Sequence, residues 1–396
     1  MAMHSGIAGR SSGELDAVQP WASTRERYLD NLKVILIAAI IAMHAVLGYA
    51  SIVEVWSYTS VREVTLATVT QIVLFVLVSP LGLILIALLF LIAGLLARQS
   101  LHRKGIPAYV RARLLRLGLP FVLYVLVIQP ALMYGLEHPL GAAPGTYWRE
   151  FLGAENQLDT GPLWFVGVLL IFSLGYAGWV GLQGDRTTRP PKEITARRLI
   201  LVTAAVAITS FLVRLIYPYG GDSGFADLNL WQWPTCVVMF GLGIAASRRG
   251  WLAAVPARLD RHCQIITGAA ALAMASFLFL AGALDKVDEA IGGWGWMAAV
   301  FAVIECTLSV YGSVWLLATA QRRLRRPIPQ GALLGRSAYG AFVVQTAVLL
   351  GLAVALRPVP LPAEIKAVFV AAGGVTGSFA LAGFLIRRVP GVARVL

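Results

Sequence analysis

The chain has 396 residues, 58% of them hydrophobic and 13% charged, with a formal net charge of +13. Soluble domains carry about 25% charge, so a soluble enzyme is excluded, and the hydrophobicity excludes a disordered chain. What remains is a polytopic membrane protein whose basic loops face anionic lipid, not a nucleic-acid binder.

Residues 1–24 are Gly- and Ser-rich, lack the apolar core of a signal peptide and read as a mobile tail. Residues 25–388 read as one membrane domain and 389–396 as a short tail. A hydrocarbon layer of about 30 Å needs roughly 20 apolar helical residues. Ten stretches qualify: 34–52, 69–97, 117–136, 162–182, 199–217, 232–248, 264–284, 295–319, 333–356 and 365–386. The expected fold is therefore an all-α, polytopic membrane bundle of about ten transmembrane helices.

In the first span Lys33 precedes His44 by eleven residues, almost three helical turns, so both project from one face. Lys33 marks the entrance and His44 lies roughly 16 Å deeper. The second stretch carries Ser79-Pro80 and is expected to kink or tilt rather than split. Before the third span, the segment RARLLRLGLP places Arg111, Arg113 and Arg116. Arg113 and Arg116 share a helix face, and paired guanidiniums suit phosphate, although basic flanks also serve topology alone. Gln129 follows within the third span. The 137–161 loop holds Tyr147, Trp148, Glu150, Glu155 and Asp159, and reads either as the lining of a polar acceptor site or as a solvated connector.

Farther along, Glu305 is the only carboxylate well inside a span, where it needs a partner or a proton. Gln345 lies in the ninth span. Counted at 1.5 Å per residue, His44, Gln129, Glu305 and Gln345 fall at similar depth, which predicts one buried polar pocket. The competing expectation is that such residues merely bridge helices, at about 0.6–2 kcal/mol each. Cys236, Cys263 and Cys306 have no metal-ligand spacing and read as core fillers. Nothing in the sequence specifies an oligomeric state. Of the 33 Lys and Arg, 26 fall on the side of the two tails, which places both termini in the cytoplasm of a multi-pass inner (plasma) membrane protein.

The stretch RYLDNLKVILIAAIIAMHA, Arg27 to Ala45, resembles the first span of the acyltransferase 3 family of integral membrane acyltransferases, and most of all its glucan biosynthesis protein C-like branch. Tyr28, Leu29, Asp30, Leu32 and His44 match that pattern, and Lys33 replaces the usual Arg. Arg113-Leu-Leu-Arg116 with Pro120 resembles the family's RxxR element, and Gly161-Pro-Leu-Trp164-Phe165 its LWF element. Ser337-Ala-Tyr339-Gly340 with Gln345 resembles a late motif, departing from it where Phe342 replaces a Tyr and Gln345 a His. The resemblance implies transfer of an acetyl- or succinyl-class group from cytoplasmic acyl-coenzyme A to a hydroxyl of an extracytoplasmic or lipid-linked carbohydrate. The donor is a substrate, and no permanently bound cofactor or metal is expected.

On this basis His44 is expected to be the general base, its proton exchanging near neutral pH. Glu305 is expected either to orient it or to bind sugar hydroxyls. Lys33, Arg111, Arg113 and Arg116 would hold coenzyme A phosphates, and Gln129, Trp164 and Gln345 the acceptor. A transporter or flippase of polar or lipid-linked sugars is the rival reading, since ten spans and a midplane polar pocket fit it too.

Overall fold

The computed structural model describes residues 20–51, 61–137, 159–184, 195–221, 227–248, 255–326 and 331–395. Among them all regular structure is helical. Ten helices are long and apolar enough to cross a membrane, in register with the ten expected spans. They are α1 (Pro20–Leu47), α2 (Thr68–Lys104), α3 (Ile106–Leu136), α4 (Trp164–Gln183), α5 (Ala196–Arg214), α6 (Trp233–Arg248), α7 (Ala257–Ala283), α8 (Trp296–Arg323), α9 (Gly331–Leu356) and α10 (Ala363–Arg388). Ten alternating spans put the start of α1 and the end of α10 on one face, called here the terminal face; the other is the far face.

α2 is one helix of 37 residues, about 55 Å long, and runs through Pro80 without a break. The proline leaves the Val76 carbonyl without its helical donor, a local cost that the surrounding bundle absorbs. α3 starts at Ile106, well before the expected 117, and contains two π turns, Leu114–Gly118 and Tyr124–Ile128. Each π turn comes just before a proline, Pro120 or Pro130. Proline cannot donate to the carbonyl four residues back and its ring crowds that carbonyl, so the backbone widens by one residue there.

The bundle has two lobes. In one, α2 packs against α6 and α8, with α5 and α7 against α8. In the other, α1, α9 and α10 pack together, and α1 joins this lobe to α2. Outward-facing Leu77, Ile208, Phe279 and Val368 are exposed, as lipid contact demands. The tightest approach is between α2 and α6: a Cβ on Gly94 would run into the Phe240 carbonyl, and one on Gly243 into the Leu91 carbonyl. Small residues allow such backbone contact inside membranes. Gly243→Ala should therefore cost roughly 3 kcal/mol or more, because no rotamer relieves a Cβ-to-backbone clash. The check is the folded yield after detergent extraction, which should drop sharply, whereas alanine at exposed, uncrowded Gly241 should leave it near wild type.

The three cysteines are buried and unpaired, in keeping with their expected role as core fillers. The far-face segment after α1 is strapped to the α9–α10 end of the molecule. Buried Lys366 pairs with Glu63, Arg357 Nε donates to the Val61 carbonyl at 3.0 Å, and Arg62 bonds the Ala50 carbonyl.

Candidate active site

A cavity of about 600 Å³ opens between the lobes toward the terminal face. Four cations stand in its lining: Lys33 of α1, Arg113 and Arg116 of α3, and Arg336 of α9. The first three are those expected from the sequence, gathered from two helices onto one space. Lys33 Nζ donates to Asp30 Oδ1 at 3.1 Å, one turn back on the same helix. The Arg113 guanidinium lies 5.0 Å from the ring centre of fully buried Tyr109, a cation–π contact that limits its swing. Arg111 is exposed and absent from the lining. Behind the cations the walls are apolar, with Ile37, Ile92, Leu169 and Phe342 among them. One polar atom interrupts them: the buried hydroxyl of Tyr339 has no hydrogen-bond partner among the described residues.

Deeper than the cavity, His44 Nδ1 lies 3.0 Å from Gln345 Oε1. The amide's orientation follows from its other end, where Gln345 Nε2 donates to the Phe342 carbonyl at 3.0 Å. Only an oxygen then faces the histidine, so Nδ1 carries the ring proton, and in the neutral ring the basic lone pair sits on Nε2. The lining ends at Ile37, two turns short of His44, and at Phe342, one turn short of Gln345.

A second polar chain abuts this pair. Thr346, adjacent to Gln345, has its Oγ1 2.9 Å from the Tyr124 hydroxyl, which donates to Gln129 Oε1 at 2.8 Å. Gln129 Nε2 in turn bonds Asp159 Oδ2 at 2.5 Å, and the other carboxylate oxygen accepts from the Gly161 N–H at 2.7 Å. Residues five apart point about 140° away from each other on an ordinary α-helix. The second π turn of α3 brings Tyr124 and Gln129 into line instead. Gly161 adopts φ +45°, and a Cβ there would lie 2.8 Å from the Tyr124 hydroxyl, so the turn that starts α4 needs glycine. That turn carries Trp164, half-buried with its ring centre 6.4 Å from that of Phe165. Of the 137–161 loop, Tyr147, Trp148, Glu150 and Glu155 lie outside the described residues.

His44, Gln345 and Gln129 thus share one polar region. Glu305 is elsewhere, and its expected roles need correction. Its carboxylate is fully buried and meets Arg214 Nη2 at 2.5 Å. The Arg214 guanidinium is ringed by Tyr219, Trp231 and Phe301, at 5.0, 5.9 and 5.5 Å from their ring centres. Gln345, not Glu305, holds the histidine, and a carboxylate with no exposed surface offers nothing to a sugar hydroxyl. Burial and the Glu305 charge also push the Tyr219 hydroxyl, in the far-face loop, well above the usual phenol range.

On the far side of His44, Ala45, Gly48, Tyr49, Arg62 and Leu349 line a small gap. Burial beside the Glu63 carboxylate raises Tyr49 to about 12, so it remains a hydroxyl donor at neutral pH.

Sequence reasoning overlooked Arg336, Tyr124, Thr346 and the pairing of Arg214. Arg336 lies only three residues before Tyr339, on the same helix face.

Compared with protein-family models, residues 26–387 match the model described as an acyltransferase domain. The chain belongs to the acyltransferase 3 family. The match covers nearly the whole chain and all ten spans, so the enzyme is the membrane bundle itself. No curated protein and no solved structure matches it. An acyltransferase needs an anchored donor, a base for the accepting group and a route joining them. The cation-lined cavity, and the His44–Gln345 pair one to two turns beyond its lining, can meet those needs.

Proposed function

We propose that this acyltransferase moves an acetyl- or succinyl-class group from cytoplasmic acyl-coenzyme A to a hydroxyl of an extracytoplasmic or lipid-linked carbohydrate. One observation carries the reading: four cations ring the mouth of an apolar cavity that leads toward a histidine held by a glutamine. Phosphates would sit among Lys33, Arg113, Arg116 and Arg336, and the thin pantetheine arm along the apolar walls. The basic terminal face would then be cytoplasmic, where acyl-coenzyme A resides.

His44 Nε2 takes the proton of the acceptor hydroxyl as its oxygen attacks the thioester carbonyl. The acyl–oxygen bond forms, the acyl–sulfur bond breaks, and the thiolate leaves with the proton returned from the imidazolium. No net proton is gained or lost, and no acyl-enzyme is needed. Gln345 fixes the ring tautomer so that Nε2 is the atom presented. The acceptor approaches from the far side, past Tyr49 and Arg62 or past Asp159 and Gln129.

Purified protein given labelled acetyl- or succinyl-coenzyme A and a mixed glycan and glycolipid extract should form an alkali-labile ester. Absence of product with both donors would overturn the reading. Arg113→Ala together with Arg116→Ala should raise the acyl-coenzyme A KM about tenfold or more, since each charge-assisted bond contributes about 1.5–3 kcal/mol. A changed protein level with unchanged KM would reduce these residues to topological charges.

A further inference from the structure

We infer that Phe342, backed by Phe165, is a size filter that restricts the transferred acyl group to a few carbons. The inference rests on the acyl-coenzyme A reading above and adds the residue that sets donor choice. The two rings meet edge to face, centres 6.1 Å apart and planes at 74°, at the end of the cavity nearest Gln345. A thioester whose phosphates stay at the cationic rim must bring its carbonyl past this pair to reach His44.

The pair has little freedom to yield. Phe165 rests against fully buried Phe90 of α2, ring centres 4.7 Å apart, and Phe90 rests against Phe172 at 5.6 Å. Swinging Phe165 aside would therefore displace a stack built from α2 and from its own helix, α4. Phe342 is itself buried, and its carbonyl anchors the Gln345 amide that holds His44. A bulky acyl group forcing Phe342 outward would pull on that anchor and disturb the base. Size exclusion and loss of catalytic geometry thus come from one displacement. The lining stops at this pair, one helical turn short of Gln345, so the acyl group, which leads the thioester inward, meets the two rings before its carbonyl can reach the histidine.

The filter is tested by competition between acetyl- and octanoyl-coenzyme A on purified protein with the same glycan and glycolipid extract. The readout is the ratio of octanoyl to acetyl ester formed. Wild type should favour acetyl strongly. Phe342→Ala should raise the octanoyl share about tenfold or more, by the scale of apolar pocket discrimination, and Phe342→Trp should lower it. Should the alanine variant not be recovered folded, Phe342→Leu reads the same ratio with less cavity, and a threefold rise supports the filter. An octanoyl share that the variants leave unchanged, or move against the size of the side chain, overturns it. Wild type forming no ester from acetyl-, succinyl- or octanoyl-coenzyme A would bring down the acyl-coenzyme A reading as well. Ester formation with an insensitive ratio would bring down the filter alone.

Discussion

Replacing His44 by alanine should lower acyl transfer by about 10²–10⁴-fold while the protein still inserts and extracts normally. The size of the loss follows from the role assigned to Nε2, which takes the acceptor proton as the new bond forms. The structural cost of the change is small, because His44 is only half-buried and its Nδ1 bond to Gln345 is one neutral contact. The measurement is ester formation at saturating acyl-coenzyme A, normalised to folded protein. A rise in KM alone, or activity near wild type, would remove His44 from the chemistry. Gln345→Leu gives the companion result. It frees the imidazole to take the other tautomer, so kcat should fall while the donor KM, set at the cationic rim, stays put.

The second large effect concerns stability. Arg214→Ala or Glu305→Ala should each cost about 3–5 kcal/mol, because either leaves a buried charge without its partner. The pair is already imperfectly served: Arg214 Nε and Nη1 and Glu305 Oε1 have no hydrogen-bond partner among the described residues. Replacing both, as Arg214→Met with Glu305→Leu, should recover most of the loss, since well-packed apolar residues often equal a buried ion pair. Thermal unfolding in detergent distinguishes the three proteins. The double variant should also keep acyl transfer. If it is stable yet inactive, Glu305 acts on the reaction and the structural assignment fails.

The span pattern was legible because it rests on one-dimensional quantities, hydropathy and charge, that no tertiary contact alters. The Lys33–His44 stripe was legible for a similar reason, since α1 is regular and eleven residues on a regular helix return to one face. The Tyr124–Gln129 bond was not, because it depends on a π turn that breaks the 3.6-residue period. Two prolines, Pro120 and Pro130, were the available signal. The partner of Glu305 was within reach. Arg214 falls inside the expected 199–217 span, and a buried carboxylate calls for a cation at its own depth. Arg336 was not within reach, because proximity across α1, α3 and α9 is a property of packing that no single segment encodes.

His44 and Gln345 are 301 residues apart in the chain, and α1 packs chiefly on α9 and α10. α1, made early, therefore waits for α9 and α10 before its polar face is matched. Until α9 enters the bilayer, the imidazole of His44 lacks the amide that fixes its tautomer, and Arg336 is missing from the rim. The polar pair and the four-cation lining therefore come together only after α9 has been made, and a nascent chain stalled after eight of these helices occupies membrane with neither assembled.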